Sequence, residues 1–209
     1  MLEFFSKFII DNINELKFLL ENNFYIFTFL YILITCTLLI LPIPATTILV
    51  FSGILFKEKS YIINYIILNI SCSITYSVFN YLSSKKYTNI KFIEKYIKSH
   101  KSEISSISTI LNFILGRIFI PFSIFSYSSG YLKLSFKKYI IGNLIGVIPR
   151  SLIITSIGLG LSSVQLYEKN IFFQFLSNKN TLIAIYTILL LYFFKVLFQY
   201  FNSSKNLNN

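Results

Sequence analysis

The sequence predicts an all-α polytopic membrane protein with about four transmembrane helices, two inverted re-entrant hairpins and surface amphipathic helices. Of its 209 residues, 55% are hydrophobic and only 13% are charged, about half the charged fraction of a soluble domain. Long stretches carry no Asp, Glu, Lys or Arg, and all prolines and glycines lie within the apolar stretches. This composition excludes a disordered chain, a collagen-like repeat and a disulfide-stapled secreted module.

The net charge of +11 does not indicate nucleic-acid binding. The basic residues lie between the apolar stretches instead of on one face, and all but two of the 19 are lysine. The predicted partners are therefore membrane lipids, and not nucleic acid.

Four segments are predicted to cross the membrane. A helix needs about 20 apolar residues to span a hydrocarbon core of about 30 Å. Segments 60–84, 139–161 and 181–201 meet this requirement, the last with one lysine inside it. Segment 24–41 is predicted as a fourth span, which ends where two prolines begin the next segment.

Segments 42–56 and 110–132 are predicted to enter the membrane and turn back. Each is apolar, yet each contains residues that break helices. Non-helical backbone at membrane depth persists only where protein or a wet cavity satisfies its polar groups, so these breaks predict a cavity. The residues expected to shape the hairpins are Pro42, Pro44, Gly53, Pro121, Gly130 and Pro149.

The two re-entrant segments resemble each other. Residues 44–53 and 121–130 both run from proline through eight residues, the last a serine, to glycine. Tyr61 and Tyr139 then open similar Tyr-Ile-Ile segments. Chance agreement in a chain rich in Ile, Phe and Ser is the alternative to an internal repeat.

Lysine distribution predicts the orientation. Connection 83–103 holds six lysines against two glutamates, so it is expected to be cytoplasmic. Both termini are then cytoplasmic, and the two hairpins enter from opposite sides, as in inverted-repeat transporters with a midplane site. A bacterial inner membrane is the expected location.

The chain divides into three predicted regions. Residues 1–21 form an amphipathic interfacial helix, residues 22–161 the membrane domain, and residues 162–209 a connecting loop, a last transmembrane helix and a short tail. Segment 91–104 is predicted either as a second amphipathic helix or as a solvated charged linker. Gly142 and Gly146 form a GxxxG pair, which predicts close helix packing and self-association of the chain.

No metal, cofactor or catalytic constellation is predicted, and the protein is not expected to be an enzyme. Ser128-Ser129-Gly130 is faintly similar to an intramembrane serine protease, but the only histidine, His100, lies outside the apolar segments.

Two arginines stand within apolar segments that contain no acid. Arg150 lies about eleven residues, ~17 Å, into its span, so its counter-charge must be backbone carbonyls, water or an anionic substrate. Arg117 either takes a similar role or extends to the lipid headgroups.

These motifs resemble the SNARE-associated Golgi protein superfamily, the VTT-domain family that includes the bacterial DedA proteins. Leu41-Pro42-Ile43-Pro44 with Gly53 is similar to its first signature. The stretch from Gly116-Arg117 through Pro121 to Gly130 is similar to its second, and Gly146 to Pro149 is similar to the span that follows. The resemblance covers roughly residues 24–161.

Two departures favour the Golgi-vesicle-protein-like branch over DedA proper. DedA proteins have an acid after the first proline pair, where this chain has Ala45-Thr46-Thr47, and a second arginine where it has Ser123. The missing acid argues against proton coupling through a membrane carboxylate. Arg117 matches the family arginine, whereas Arg150 is not carried over from the family.

The resemblance implies facing hairpins and movement of phospholipid or lipid-linked phosphate between leaflets. Arg117 and Arg150 are expected to hold an anionic phosphate headgroup. Two other functions stay open, an ion-coupled secondary transporter of a small solute and a non-transporting membrane-organising protein. The residues expected to replace headgroup hydration are Ser126, Tyr127, Ser128 and Ser129.

Overall fold

The structure, a computed structural model, describes residues 18–41, 45–84, 109–162 and 171–206. The described residues form helices joined by short turns, with no strand among them, so the all-helical prediction is confirmed for them. A 3₁₀ turn, Lys57–Lys59, joins the second and third helices. The helices are α1 Phe24–Ile40, α2 Ala45–Phe56, α3 Ser60–Ser84, α4 Ile110–Phe119, α5 Phe122–Tyr131, α6 Phe136–Ser162, α7 Ile171–Ser177 and α8 Lys179–Asn206.

Several predictions fall outside the described residues. These are most of the amphipathic helix at 1–21, the whole of segment 91–104, and the hairpin prolines Pro42 and Pro44. Within the described residues, two helical stretches are long and apolar enough to cross a membrane, Ala45–Ser84 (α2, the turn and α3) and Phe136–Ser162. The predicted count of four spans stays a prediction, since two of those spans fall on shorter apolar helices, α1 and the Lys179–Phe194 part of α8.

Helices α1 and α2 form one antiparallel pair. The Tyr31 hydroxyl donates to the Ile48 carbonyl at 2.9 Å. The Phe56 ring, at the end of α2, lies 6.4 Å from the Phe24 ring at the start of α1. Helix α2 therefore returns the chain to the end of the bundle at which α1 begins. The predicted membrane crossing of segment 24–41 stays a prediction.

Helices α4 and α5 form a second, shorter pair. Ile120 is extended, with φ −88° and ψ 140°, and the proline that follows disfavours helical backbone in the residue before it. Phe125 then packs back on α4, with its ring 6.2 Å from that of Phe113. We call the end of α1 at Leu41 and the start of α2 at Ala45 together the first break, and Ile120–Pro121 the second break.

The long helices α3 and α6 run antiparallel at the centre of the fold. Asn64, near the start of α3, donates to Thr155 Oγ1 at 2.9 Å. Further along α3, Asn69 Oδ1 accepts from Asn143 Nδ2 at 2.8 Å. A step forward along α3, from Asn64 to Asn69, therefore corresponds to a step backward along α6, from Thr155 to Asn143. If the two halves of the chain are repeats, they are inverted with respect to each other.

The short helices pack crosswise, α2 on α6 and α5 on α3. A Cβ added to Gly53 would lie 3.0 Å from the Thr155 carbonyl oxygen and 2.8 Å from Gly158. A Cβ on Gly130 would collide with the Tyr76 carbonyl and lie 3.1 Å from Phe79. In each case glycine packs on a carbonyl and on the residue three positions later. The repeat in the sequence is therefore matched by a repeat in the packing.

The GxxxG face of α6 is covered by α4 of the same chain. A Cβ on Gly142 would collide with Phe113, and a Cβ on Gly146 would lie 2.7 Å from Arg117 Cβ. The close helix packing predicted for this pair thus has an intramolecular partner. Self-association through the same face requires that α4 be displaced.

Helix α8 lies antiparallel along α6. Thr181 contacts Gly160, whereas Leu191 lies beside Arg150 at a shared cavity. α8 therefore starts at the end of the bundle where α3 begins and runs toward the other end. The Lys59 ammonium lies 4.0 Å from the Phe24 ring, so α1 starts where α8 starts. The predicted cytoplasmic location of both termini stays a prediction.

Candidate functional site

A cavity of about 610 Å³ lies where the two breaks meet α6 and α8. Residues beside both breaks line it, although the breaks are more than 70 positions apart in the sequence. The lining residues are Ala45, Thr46, Ile118, Phe119, Pro121, Phe122, Ser123, Ile124, Tyr127, Pro149, Arg150, Ile153, Ile154, Ile157 and Leu191.

Arg150 supplies the charge of this cavity. It is the fifteenth of the 27 residues of α6, directly after Pro149, and so lies near the middle of the helix. Its Nη2 donates to the carbonyl of Ile120 at 3.2 Å and reaches that of Ile118 at 3.5 Å. The sequence left three possible partners for Arg150: backbone carbonyls, water or an anionic substrate. The structure shows the first of these, the carbonyls at the second break.

The first turn of α5 faces the same cavity without a side-chain cap. Its N-cap is Pro121, which makes no side-chain hydrogen bond to the helix. The first N–H groups of a helix have no intrahelical acceptor and carry a partial positive charge. Phe122, Ser123 and Ile124 in this turn all line the cavity. The start of α2, at Ala45 and Thr46, lies on the same wall.

No acid balances these positive groups within the described part of the chain. The described residues include two acids, Glu21 and Glu58, and both lie outside the cavity-lining set. An arginine beside helix N-termini, in a cavity without carboxylates, is an arrangement that favours an anion.

Arg117 lies outside this cavity and is fully buried. Its Nη1 donates to the Phe122 carbonyl at 3.2 Å and to Ser126 Oγ at 3.1 Å, and Nη2 donates to Tyr139 Oη at 2.7 Å. Only its Nε lacks an acceptor among the described residues. The sequence predicted that Arg117 either extends to the lipid headgroups or binds a headgroup directly. The structure instead places its side chain inside the protein, away from the cavity.

Aromatic rings enclose the Arg117 guanidinium. Its Cζ lies 5.3, 4.8 and 5.3 Å from the ring centres of Phe122, Phe125 and Tyr139. Cation–π contact stabilises an arginine that has no carboxylate partner. Gly146 provides the space for the stem of the side chain, since a Cβ there would lie 3.0 Å from Arg117 Cγ.

The serines predicted to contact the headgroup are not at the cavity. Ser126, Ser128 and Ser129 are buried and absent from its lining, because α5 turns this face toward α3. Tyr127 does line the cavity, although its hydroxyl donates to the Ile40 carbonyl at 3.0 Å. Of the other predicted residues, Pro121 and Pro149 line it, whereas Gly53 and Gly130 pack between helices.

Sequence reasoning missed a second buried polar cluster beside α2. Asn64 Nδ2 donates to the Leu49 carbonyl at 3.0 Å, and its Oδ1 accepts from Ser52 Oγ at 2.6 Å. Together with the bond to Thr155, these contacts fasten α2 to both long helices. An asparagine inside an otherwise apolar span was the available signal.

These features define an all-helical integral membrane protein built around a cavity at two interrupted helices. The chain belongs to the VTT domain family, whose match covers residues 43–160, more than half of the sequence. This agrees with the resemblance seen in the motifs. Neither the curated proteins nor the solved structures contain a match to the chain.

Proposed function

We propose that the protein moves lipids with a phosphate-bearing headgroup between the leaflets of its membrane, and that the headgroup occupies the cavity at Arg150. The observation that carries this proposal is the meeting of both breaks, two helix N-termini and one arginine at a single cavity. Arg150 would exchange the carbonyls of Ile118 and Ile120 for phosphate oxygens, which form stronger, charge-assisted hydrogen bonds.

The cavity has an apolar part that suits the rest of a lipid. Beyond the arginine its wall consists of aliphatic and aromatic side chains from α4, α6 and α8, namely Ile118, Phe119, Ile153, Ile157 and Leu191. A headgroup can thus enter while the acyl chains stay in apolar surroundings. A small, fully polar solute would leave this wall without a complementary partner.

In this proposal the two helix pairs are re-entrant hairpins. The pair α1/α2 starts and ends at one end of the bundle, and α4 is too short to cross a bilayer core. Since α3 and α6 are antiparallel, the two hairpins enter from opposite sides. The end with Lys133, Lys137 and Lys138 would be cytoplasmic, following the positive-inside rule. In that orientation α1 starts at the opposite end, beside Lys59, which does not agree with the predicted cytoplasmic N-terminus.

The departures from the DedA pattern support the same site. The position of the missing acid falls at Ala45 to Thr47 and that of the missing arginine at Ser123, and both stretches contribute to the cavity wall. This chain thus retains a cavity cation, now on α6, and no cavity acid. We take this as support for the Golgi-vesicle-protein-like branch and for lipid movement that is not coupled to protons.

The two other functions have less support. An ion-coupled transporter of a small solute would need a coupling site, and the described cavity has no carboxylate. A protein that only organises partners would need no cavity between its breaks. The ~610 Å³ opening therefore favours transport.

Leaflet exchange in reconstituted vesicles tests the proposal. Purified protein is placed in liposomes that contain a headgroup-labelled fluorescent phospholipid, and dithionite is added to quench the outer leaflet. Lipid movement predicts loss of the protected half of the signal, whereas protein-free vesicles keep it. Protected fluorescence equal to that of protein-free vesicles, for phospholipids and for a lipid-linked phosphate, would contradict the proposal.

A further inference from the structure

We infer that Arg117 is a positioning residue, which fixes the second break through Tyr139 and does not touch the lipid phosphate. The inference rests on the proposed function, because it assigns Arg117 a part in the transport for which Arg150 provides the headgroup contact. It concerns the only arginine that the sequence motifs match to the family, and it gives that arginine a role different from the one the resemblance suggested.

The two arginines hold opposite sides of the second break. Arg150 contacts the carbonyls of Ile118 and Ile120, before Pro121. Arg117 contacts the carbonyl of Phe122, after Pro121. The last carbonyls of a helix lack intrahelical donors, so Arg150 satisfies two such groups at the end of α4. The Phe122 carbonyl is in the first turn of α5 and also accepts from the Ser126 hydroxyl, so Arg117 adds a further bond that ties α4 to α5. Only Arg150 also lines the cavity.

Tyr139 connects Arg117 to the rest of the fold. Its hydroxyl accepts from Arg117 Nη2 at 2.7 Å and lies 3.1 Å from the Cys72 carbonyl and 3.1 Å from Ser126 Oγ. Tyr139 is on α6, Cys72 on α3 and Ser126 on α5. The network therefore fixes the break to both long helices, and the hydroxyl of Tyr139 is its junction.

The surroundings of Arg117 leave no place for a phosphate. The side chain is fully buried, its guanidinium is enclosed by three rings, and its stem runs against Gly146. Contact with a headgroup would require the network to come apart. What Arg117 controls is the position of the first turn of α5, which faces the cavity with Ser123.

A cysteine reporter at Ser123 tests this assignment. The parent is Ser123→Cys, since the native Cys36 and Cys72 are buried and inaccessible to a membrane-impermeant maleimide. The readouts are the alkylation rate in vesicles and the inorganic phosphate concentration that gives half protection. Tyr139→Phe is compared with Tyr65→Phe, a matched control, because the Tyr65 hydroxyl donates to the Leu144 carbonyl across α3 and α6 at 3.1 Å without contacting Arg117.

We expect Tyr139→Phe and Arg117→Gln to change the alkylation rate by about threefold or more, as for the loss of one buried hydrogen bond. We expect Tyr65→Phe to match the parent. Phosphate protection should persist in both test variants and disappear in Arg150→Gln. If Arg117→Gln is not produced as folded protein, the two tyrosine variants complete the test.

Two results would overturn the inference. One is an alkylation rate in Tyr139→Phe equal to that of Tyr65→Phe. The other is loss of phosphate protection in Arg117→Gln but not in Tyr139→Phe, which would place Arg117 on the anion. Failure of the proposed function is distinguishable, because absent lipid exchange, or absent protection in the parent, leaves the comparison of alkylation rates intact.

Discussion

Lys57 and Lys133 share a left-handed backbone conformation, with φ of 51° and 52°. Each is in the turn where a short helix ends and a long helix follows, α2 to α3 and α5 to α6. Positive φ is uncommon outside glycine, and within the described residues no other non-glycine residue adopts it. The same turn thus appears twice, once in each half of the chain. Because α3 and α6 are antiparallel, the two turns lie at opposite ends of the bundle.

The first prediction concerns the sides of the membrane that these turns face. Lys57→Cys and Lys133→Cys should react with a membrane-impermeant maleimide from opposite sides in oriented vesicles or intact cells. Both lysines are exposed, so each cysteine is accessible without unfolding. Labelling of both positions from the same side would refute the inverted arrangement.

The second prediction concerns the paired glycines. Gly53→Ala and Gly130→Ala should each lower the free energy of unfolding by about 1–3 kcal/mol, because the added methyl overpacks a helix contact. Thermal unfolding in detergent measures the loss. Ser77→Ala, on the exposed face of α3, is the control and should unfold like the wild type. Wild-type stability in either glycine variant would mean that the close contact of that glycine does not stabilise the packing of the short helix, α2 or α5, against its long partner.

The third prediction concerns proton coupling. The described residues that line the cavity include no carboxylate and no imidazole. The cavity lining therefore has no side chain of the kinds that usually change charge near neutral pH. The rate of lipid exchange should therefore be the same with and without an imposed pH gradient. A rate that follows the gradient would instead favour the ion-coupled transporter.

The fourth prediction relocates the cavity cation. Ser123 and Arg150 line the same cavity from α5 and α6. Ser123→Arg combined with Arg150→Gln should therefore recover part of the exchange that Arg150→Gln loses. Ser77→Arg in the same background makes the same substitution on the exposed face of α3, outside the cavity lining, and we expect less recovery there. Equal recovery in both would show that net charge matters and its position does not.

The sequence was sufficient to predict the break at Pro121, and the repeated spacing of proline and glycine has a counterpart in the packing of Gly53 and Gly130. Prolines and glycines inside apolar stretches have few uses other than breaks and close packing, so Pro121, Gly53 and Gly130 could be assigned structural roles directly. The structure places Pro121 at the second break, whereas Gly53 and Gly130, predicted to shape the hairpins, lie within α2 and α5 and pack against the long helices. The helical class followed from composition for the same physical reason, since a bilayer leaves backbone few other solutions.

The sequence could not decide which arginine reaches the cavity. Arg117 and Arg150 both stand in apolar segments without acids, and the pattern along the chain treats them alike. Their difference arises from tertiary packing: α4 lies on the GxxxG face of α6, which buries Arg117 among rings from α5 and α6. The sequence also could not show that the serines after Pro121 pack against α3. A helix as short as α5 has too few turns for its pattern to indicate which face packs against another helix.

The pairing of α1 with α2 was also beyond the sequence. A charge-free stretch of this length fits a full span followed by a half-span as well as it fits two limbs of one hairpin. The contact between Tyr31 and Ile48 shows that α1 and α2 pack together, and the crossing of the membrane by α1 stays a prediction.

The most direct test of the central claim is leaflet exchange by Arg150→Gln, measured with dithionite beside the wild type and Lys59→Gln. Lys59→Gln removes a positive charge from the turn before α3, outside the cavity. Loss of a charged hydrogen bond is worth about 1.5–3 kcal/mol, so exchange by Arg150→Gln should fall about tenfold to hundredfold. Lys59→Gln should exchange lipid like the wild type. Wild-type exchange by folded Arg150→Gln would contradict the claim that the phosphate is held at Arg150.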